Sequence, residues 1–222
     1  MFYVFTKKPF VDSIIYGPKR SFDKDFVLNN SNYNKGPAFI SAIYSLFPNT
    51  QPISIVEYGC GIGSLIEDVI IDEHIAIGID GFFPNKKFGV GAFGRFPNNF
   101  FCADLEQPLT ISYDEYCDFN YDNPMPYLFD VATTSEFMEH LKPSGVNQCC
   151  ETIAKHLKIN GILIAEISTR SQGGHLTLEN REWWINKFKE YNLVEDIQLN
   201  NLFNNKYYRN LDDSHKFCFR KQ

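Results

Sequence analysis

The sequence predicts an α/β fold in which a mainly parallel sheet is covered by helices on both faces. From residue 52 onward, apolar runs of strand length alternate with segments of helical spacing, the pattern of buried parallel strands joined by crossovers. Several of those runs end on a glycine turn or an acidic residue, and the carboxyl edge of such a sheet is where ligands collect. A chain of 222 residues with 44% hydrophobic content is long enough for one domain with a substantial core.

The order of elements follows from the apolar pattern. Residues 1–50 read as an irregular aromatic start followed by a helix through Ala38–Phe47, stopped by Pro48, and are expected to form a lid or entrance helix ahead of a main domain over 51–222. The first strand is Ile53–Tyr58, followed by Gly59-Cys60-Gly61-Ile62-Gly63 and a helix through Ser64–Ile70. A second strand, Ile75–Ile79, ends at Asp80; a third, Phe100–Ala103, ends at Asp104; a fourth, Tyr127–Thr134, ends before Ser135-Glu136. Val146, Cys149, Cys150, Ile153 and Leu157 recur at helical spacing, with Asn160-Gly161 as the expected stop before the strand Ile162–Ile167. A further helix starts between Thr177 and Asn180 with Trp184, Phe188 and Tyr191 on one face, and Val194–Leu199 and His215–Arg220 are expected to pair as closing strands, seven in all.

Composition excludes several classes. Twenty-one Lys and Arg against 27 Asp and Glu leave a net charge of −6, which opposes general attraction to polyanions. The start Met1–Pro9 lacks a basic leader and an apolar run, and no stretch reaches the roughly 18–20 apolar residues of a membrane span, so the chain is expected to be cytoplasmic and free of membrane. Cys60, Cys102, Cys117, Cys149, Cys150 and Cys218 form no Cys-x-x-Cys pair and read as reduced thiols, so no structural metal is expected. Trp184 reads as core, whereas Trp183 is open between core and a substrate platform; His74, His156 and His215 read as turn or exposed positions.

The glycine run carries the functional signal. Closely spaced glycines after a strand let backbone approach a ligand, and the helix that follows offers N–H donors. In a dinucleotide fingerprint the third glycine would fall at position 64, which is Ser64, whereas here it is Gly63. Val56-Glu57-Tyr58-Gly59-Cys60-Gly61-Ile62-Gly63 instead resembles the first motif of the class I S-adenosylmethionine-dependent methyltransferases. The resemblance implies a Rossmann-like seven-stranded sheet with its last strand antiparallel. It also implies that Gly59, Gly61 and Gly63 turn beneath the methionine part of the cofactor, with Glu57 holding its amino group. Asp80, 23 residues after Glu57, would accept both ribose hydroxyls, as an ionised carboxylate can; Asp104 with Leu105 would take the adenine edge, and Ser135 would lie beside the sulfonium.

Methyl transfer to a hydroxyl needs alignment, exclusion of water and a base. Glu136-Phe137-Met138-Glu139-His140 follows the fourth strand, and on a helix Glu136, Glu139 and His140 share one face, where the carboxylates would raise the His140 pKa. This Glu-x-x-Glu-His pattern is similar to that of ubiquinone-pathway O-methyltransferases and small-molecule relatives, with His140 the expected base and Glu136 and Glu139 tuning or orienting it; His175, in the Gly-rich loop after the fifth strand where substrate contacts are common, is a further candidate catalytic residue. It is also similar to that of enzymes that methylate the terminal 2′-hydroxyl of small RNAs with a divalent metal, an alternative in which His175 is the later His. An inactive cofactor-binding or scaffold protein is the third reading.

Residues 96–141 contain no Lys or Arg and carry nine acids: Asp104, Glu106, Asp114, Glu115, Asp118, Asp122, Asp130, Glu136 and Glu139. Such a rim repels phosphate, so the expected acceptor is a small molecule or glycan and not a nucleic acid. The long connections 82–99 and 107–126, rich in aromatic residues, are the expected carriers of specificity. Oligomeric state is not legible.

Overall fold

The computed structural model describes residues 1–6, 36–81, 92–113, 124–171, 174–206 and 214–222. Strands β1 (Phe2–Thr6) and β5 (Leu109–Tyr113) pair antiparallel in a small sheet of two strands. The main sheet has seven: β2 (Ser54–Tyr58), β3 (Ile75–Asp80), β4 (Phe100–Cys102), β6 (Phe129–Ser135), β7 (Leu157–Ser168), β8 (Leu193–Glu195) and β9 (Ser214–Lys221). Their spatial order is β4-β3-β2-β6-β7-β9-β8, and β9 runs antiparallel to β7 and to β8. This is the expected mixed α/β architecture, with a topological switch between β2 and β6.

Among the described residues five helices cover the sheet: α1 (Gly36–Ser45), α2 (Ser64–Ile71), α3 (Pro143–His156), α4 (Arg181–Lys189) and α5 (Ile197–Lys206). One core layer joins Phe39 and Ile43 of α1, Leu65 and Ile66 of α2, and Leu199 and Phe203 of α5 to Ile55, Val131 and Ile164 of the sheet. The other joins Val146, Cys149 and Ile153 of α3 with Trp184 and Phe188 of α4 against Val56, Tyr58, Leu163 and Phe219. Central strands buried on both faces explain why β2 and β6 read as near-continuous apolar runs.

Four expectations are corrected. The amino-terminal aromatic start is a strand: β1 pairs with β5 from Phe2↔Tyr113 to Thr6↔Leu109, and Phe2 packs its ring against Tyr113, Tyr127 and Phe129. The connection 107–126 therefore contains a strand at its start. Val194–Leu199 is not one strand. β8 ends at Glu195 because Asp196 caps a helix, its Oδ1 accepting from the N–H groups of Gln198 and Leu199, both at 3.1 Å. Leu157 belongs to β7 and not to the preceding helix, and Asn160-Gly161 forms a bulge within that strand, where the register jumps from Phe129↔Leu157 to Val131↔Ile162. A Cβ on Gly161 would lie 2.8 Å from the Lys158 carbonyl, so the bend requires glycine.

Candidate functional site

The carboxyl ends of β2, β3, β4, β6 and β7 converge on one edge of the sheet, which collects most of the residues singled out above. After Tyr58 the chain turns through Gly59, Gly61 and Gly63 with φ of 73°, 54° and 77°, a region that glycine enters without penalty. Two of the three have no room for a side chain. A Cβ on Gly59 would fall 2.3 Å from Phe137 Cγ, and one on Gly63 would fall 2.2 Å from Phe100 Cε1. Gly61 differs: a Cβ there meets no described atom within 4 Å, so the turn is open above it.

Asp80, ending β3, accepts from the Gly61 N–H at 2.8 Å through Oδ2, which ties the second strand's acid to the glycine turn. Glu57 is buried at the end of β2. Asp104 is buried too, with Oδ1 accepting from the Glu106 N–H at 2.9 Å. The Leu105 side chain sits in the core, so only its backbone can reach a ligand. Ser135 closes β6 and donates from Oγ to Glu166 Oε2 at 2.9 Å. Glu166 was not singled out by the sequence reading. Its signal was a charged residue near the end of the apolar run Ile162–Ile167, and Ser135, Glu166 and Lys216 stand side by side across β6, β7 and β9.

The segment after β6 is not the expected α-helix. Glu136 adopts a left-handed backbone with φ 49°, its N–H donating to the Glu166 carbonyl at 2.9 Å, and Met138–His140 form a single 3₁₀ turn. Helix α3 cannot start earlier because Pro143 holds Lys142 extended at φ −67°, ψ 156°. The Glu139 side chain is fully buried, and its Oε1 accepts from the Ser168 N–H at 3.1 Å at the end of β7. Oε2 is buried with no hydrogen-bond partner among the described residues. Burial, and then the neighbouring Glu136 charge, push the Glu139 carboxyl up to about 8, against the lowering effect of backbone donors.

The same turn captures the loop after β7. The Glu139 carbonyl accepts from the N–H groups of Leu176 at 2.7 Å and Thr177 at 3.0 Å, and Thr177 Oγ1 donates to the Leu141 carbonyl at 2.7 Å. The strap brings His175 edge-on to His140, ring centroids 4.7 Å apart at 90°. His140 Nδ1 lies 2.9 Å from the Gly174 carbonyl and His175 Nδ1 lies 2.8 Å from the Arg170 carbonyl. The expected rise of the His140 pKa is reversed: burial lowers it, and nearby His175 adds to the lowering against the Gly174 carbonyl. Glu139, His140 and His175 also form the one described cluster whose ligand atoms could jointly hold a cation.

Other candidates lie away from this edge. Asp130 starts β6 at the opposite end, where it accepts from Ser54 Oγ at 2.7 Å and from Lys158 Nζ at 2.7 Å, so it leaves the acidic rim. Asp114, Glu115, Cys117, Asp118, Asp122, and residues 82–91 and 114–123 of the two long connections, lie outside the described residues. Trp184 is core, against Phe188, and Trp183 packs partly buried beneath the Lys187 ammonium at 5.5 Å. His156, expected at an exposed position, is fully buried: its Nε2 accepts from the Ile111 N–H at 2.9 Å, anchoring β5 to α3. Burial lowers its pKa to about 4.

No family model matches the chain, and neither does any curated protein sequence. Solved structures do match its fold. A TehB-like S-adenosylmethionine-dependent methyltransferase from Corynebacterium glutamicum superposes with a TM-score of 0.59 at 14% identity, over 90% of this chain and 94% of that one. An amino pentose methyltransferase of calicheamicin biosynthesis from Micromonospora echinaspora, with S-adenosylmethionine bound, gives 0.59 at 13% identity, over 89% and 96%. Magnesium protoporphyrin IX methyltransferase from Synechocystis, with S-adenosylhomocysteine bound, gives 0.54 at 11% identity, over 83% and 81%. The chain has the Rossmann-like methyltransferase fold. Among its described residues no helix is long and apolar enough to cross a membrane.

Proposed function

We propose that the chain is an S-adenosylmethionine-dependent methyltransferase acting on a hydroxyl of a small molecule or sugar, with an amine as the second choice of acceptor atom. The observation that carries this reading is the convergence, on one sheet edge, of three left-handed glycines, the acids Glu57, Asp80 and Asp104, and a partly buried imidazole. The site fits the cofactor in one specific respect. Gly61 leaves open space where a side chain would stand, and Asp80 already points its carboxylate at the Gly61 N–H.

When bound, S-adenosylmethionine supplies an electrophilic methyl group. In this reading Asp80 accepts the ribose hydroxyls, Glu57 holds the amino group, Asp104 and the Leu105 backbone take the adenine edge, and Ser135 lines the reacting centre. Since only an N–H satisfies a carbonyl, His140 Nδ1 is protonated toward Gly174 and Nε2 is left to take a proton from the acceptor. Glu136, Glu139 and His175 orient that imidazole and the acceptor. Residues 51–222 act as the body of the site, and the described part of residues 1–50 packs on that body through β1 and α1. Glu136 beside the acceptor position disfavours a phosphate-bearing one.

The test is a calorimetric titration with S-adenosylhomocysteine. The parent should bind with micromolar affinity and Asp80→Ala should bind roughly 10–100-fold more weakly, as loss of charge-assisted bonds implies. A parent protein that does not bind would overturn the reading and leave a scaffold role.

A further inference from the structure

The amino end of the sheet, opposite the glycine turn, carries a cavity of about 330 Å³ where the starts of β3 and β4 meet the small sheet. That volume is in the range of small-molecule sites. We infer that this cavity is a second ligand site, taking an uncharged nitrogen heterocycle of the nucleobase type, as the free base or the nucleoside.

Its polar groups are held in place by the sheet itself. His74, which the sequence reading placed in a turn without a role, receives the Ile53 N–H on Nδ1 at 3.3 Å, and Tyr44 meets its ring edge-on with centroids 4.3 Å apart. A ring nitrogen that accepts an N–H carries no proton, so Nε2–H is the donor His74 has left. Asn99 closes the 3₁₀ turn before β4, and its Nδ2 donates to the Ala76 carbonyl at 2.8 Å. That bond fixes which way the amide faces and leaves Oδ1 as an acceptor that no described donor reaches. Asn98 adds a second amide beside it.

The remaining wall is aromatic. Phe2, packed against Tyr127 and Phe129, has its ring 4.7 Å from that of Tyr113, which is 41% exposed. Among the described lining residues no side chain is a carboxylate, ammonium or guanidinium, although 22% of the chain is charged. A phosphate would find no cationic side chain there, which favours a base or nucleoside over a nucleotide or a strand. One fixed donor and one fixed acceptor beside an aromatic face are what a nucleobase requires, since it is stacked on its plane and read along its edge. The cavity lies at the far end of the sheet from the reacting centre. Its occupant therefore ties β1 and β5 to the starts of β3 and β4 and is bound without being converted.

The experiment is a titration of the isotope-labelled full chain with uridine, followed in amide spectra with S-adenosylhomocysteine present in excess to fill the adenine position of the proposed cofactor pocket. Saturable shifts should appear at Phe2, Ala76, Asn99 and Tyr113 and not at Gly59, Gly61 and Gly63. N3-methyluridine keeps the stacking face but loses the edge N–H, and should bind roughly 5–100-fold more weakly. Tyr113→Ser should weaken uridine by a similar factor, the worth of a base–aromatic stack, with S-adenosylhomocysteine affinity unchanged. Asp80→Ala should bind uridine as the parent does. Absence of saturable shifts at the cavity overturns the inference, as do shifts confined to the glycine turn or equal binding of uridine and N3-methyluridine. The comparison of the two nucleosides needs no variant, so it decides the matter even where Tyr113→Ser does not fold. A parent that ignores S-adenosylhomocysteine but shows the cavity shifts sinks the methyltransferase reading alone.

Discussion

The two halves of the sheet edge are built differently. On the glycine side, the groups come from the ends of consecutive strands β2, β3 and β4, and the turn between β2 and α2 holds all three glycines within five residues. On the imidazole side, the 136–140 turn is completed by a loop more than 30 residues later, through the Glu139 carbonyl and the Leu176 and Thr177 N–H groups. The first half is a local property of backbone conformation; the second is a tertiary assembly. They meet at Phe137, whose ring fills the space that a side chain on Gly59 would need.

The largest expected effect separates the halves. His140→Ala should lower kcat by roughly 10²–10⁴, the contribution of a lost acid or base, with S-adenosylhomocysteine affinity unchanged in calorimetry. Comparable losses in both quantities would mean that the halves act as one unit and that the division drawn here is wrong.

Legibility in the sequence follows the same division. The glycine turn and the placing of Glu57 and Asp80 at strand ends were readable because strand, turn and acid spacing are local facts, whereas the spatial order of the strands was not read. The 136–140 segment was misread as a helix because Glu136, Glu139 and His140 fall at helical spacing, while Pro143 and the left-handed Glu136 dictate a short turn. Pairing of Phe2–Thr6 with Leu109–Tyr113 spans more than 100 residues, and its alternating aromatics carried a strand signal with no sign of a partner. His156 was legible only once β5 was known, since the N–H it accepts belongs to Ile111.

That histidine gives the next largest effect, and it matters for any pH study of the imidazole side. The folded pKa of His156, about 4, lies below the roughly 6.5 of an unfolded chain, so the unfolded state takes up the proton first. The stability it protects is whole above pH 6.5, drains away as pH falls toward 4, and changes no further below that. The gap amounts to about 3 kcal/mol. Glu139, raised to about 8, gains stability over the same fall in pH, so the His156 share is read as a difference: between pH 7 and pH 5 the parent should lose more, or gain less, stability in urea unfolding than His156→Leu. If the two chains change equally between pH 7 and pH 5, the buried neutral state of His156 is wrong.

The smallest effect tests the seam. Gly61→Ala puts its methyl into open space, so its cost to folding should be the backbone penalty of about 1–2 kcal/mol for φ 54°. Its cost to S-adenosylhomocysteine binding should be proportionally greater, because the methyl occupies the space assigned to the cofactor. Gly59→Ala should reverse that order. Its Cβ meets Phe137 at 2.3 Å, so the strain passes into the 136–140 turn and should disturb acceptor turnover and stability more than cofactor affinity. Thermal melts and calorimetry on the pair resolve the point. If the two alanines weaken cofactor binding equally and leave melting equal, Phe137 does not couple the halves, and the glycine turn and the imidazole turn are independent pieces on one sheet edge.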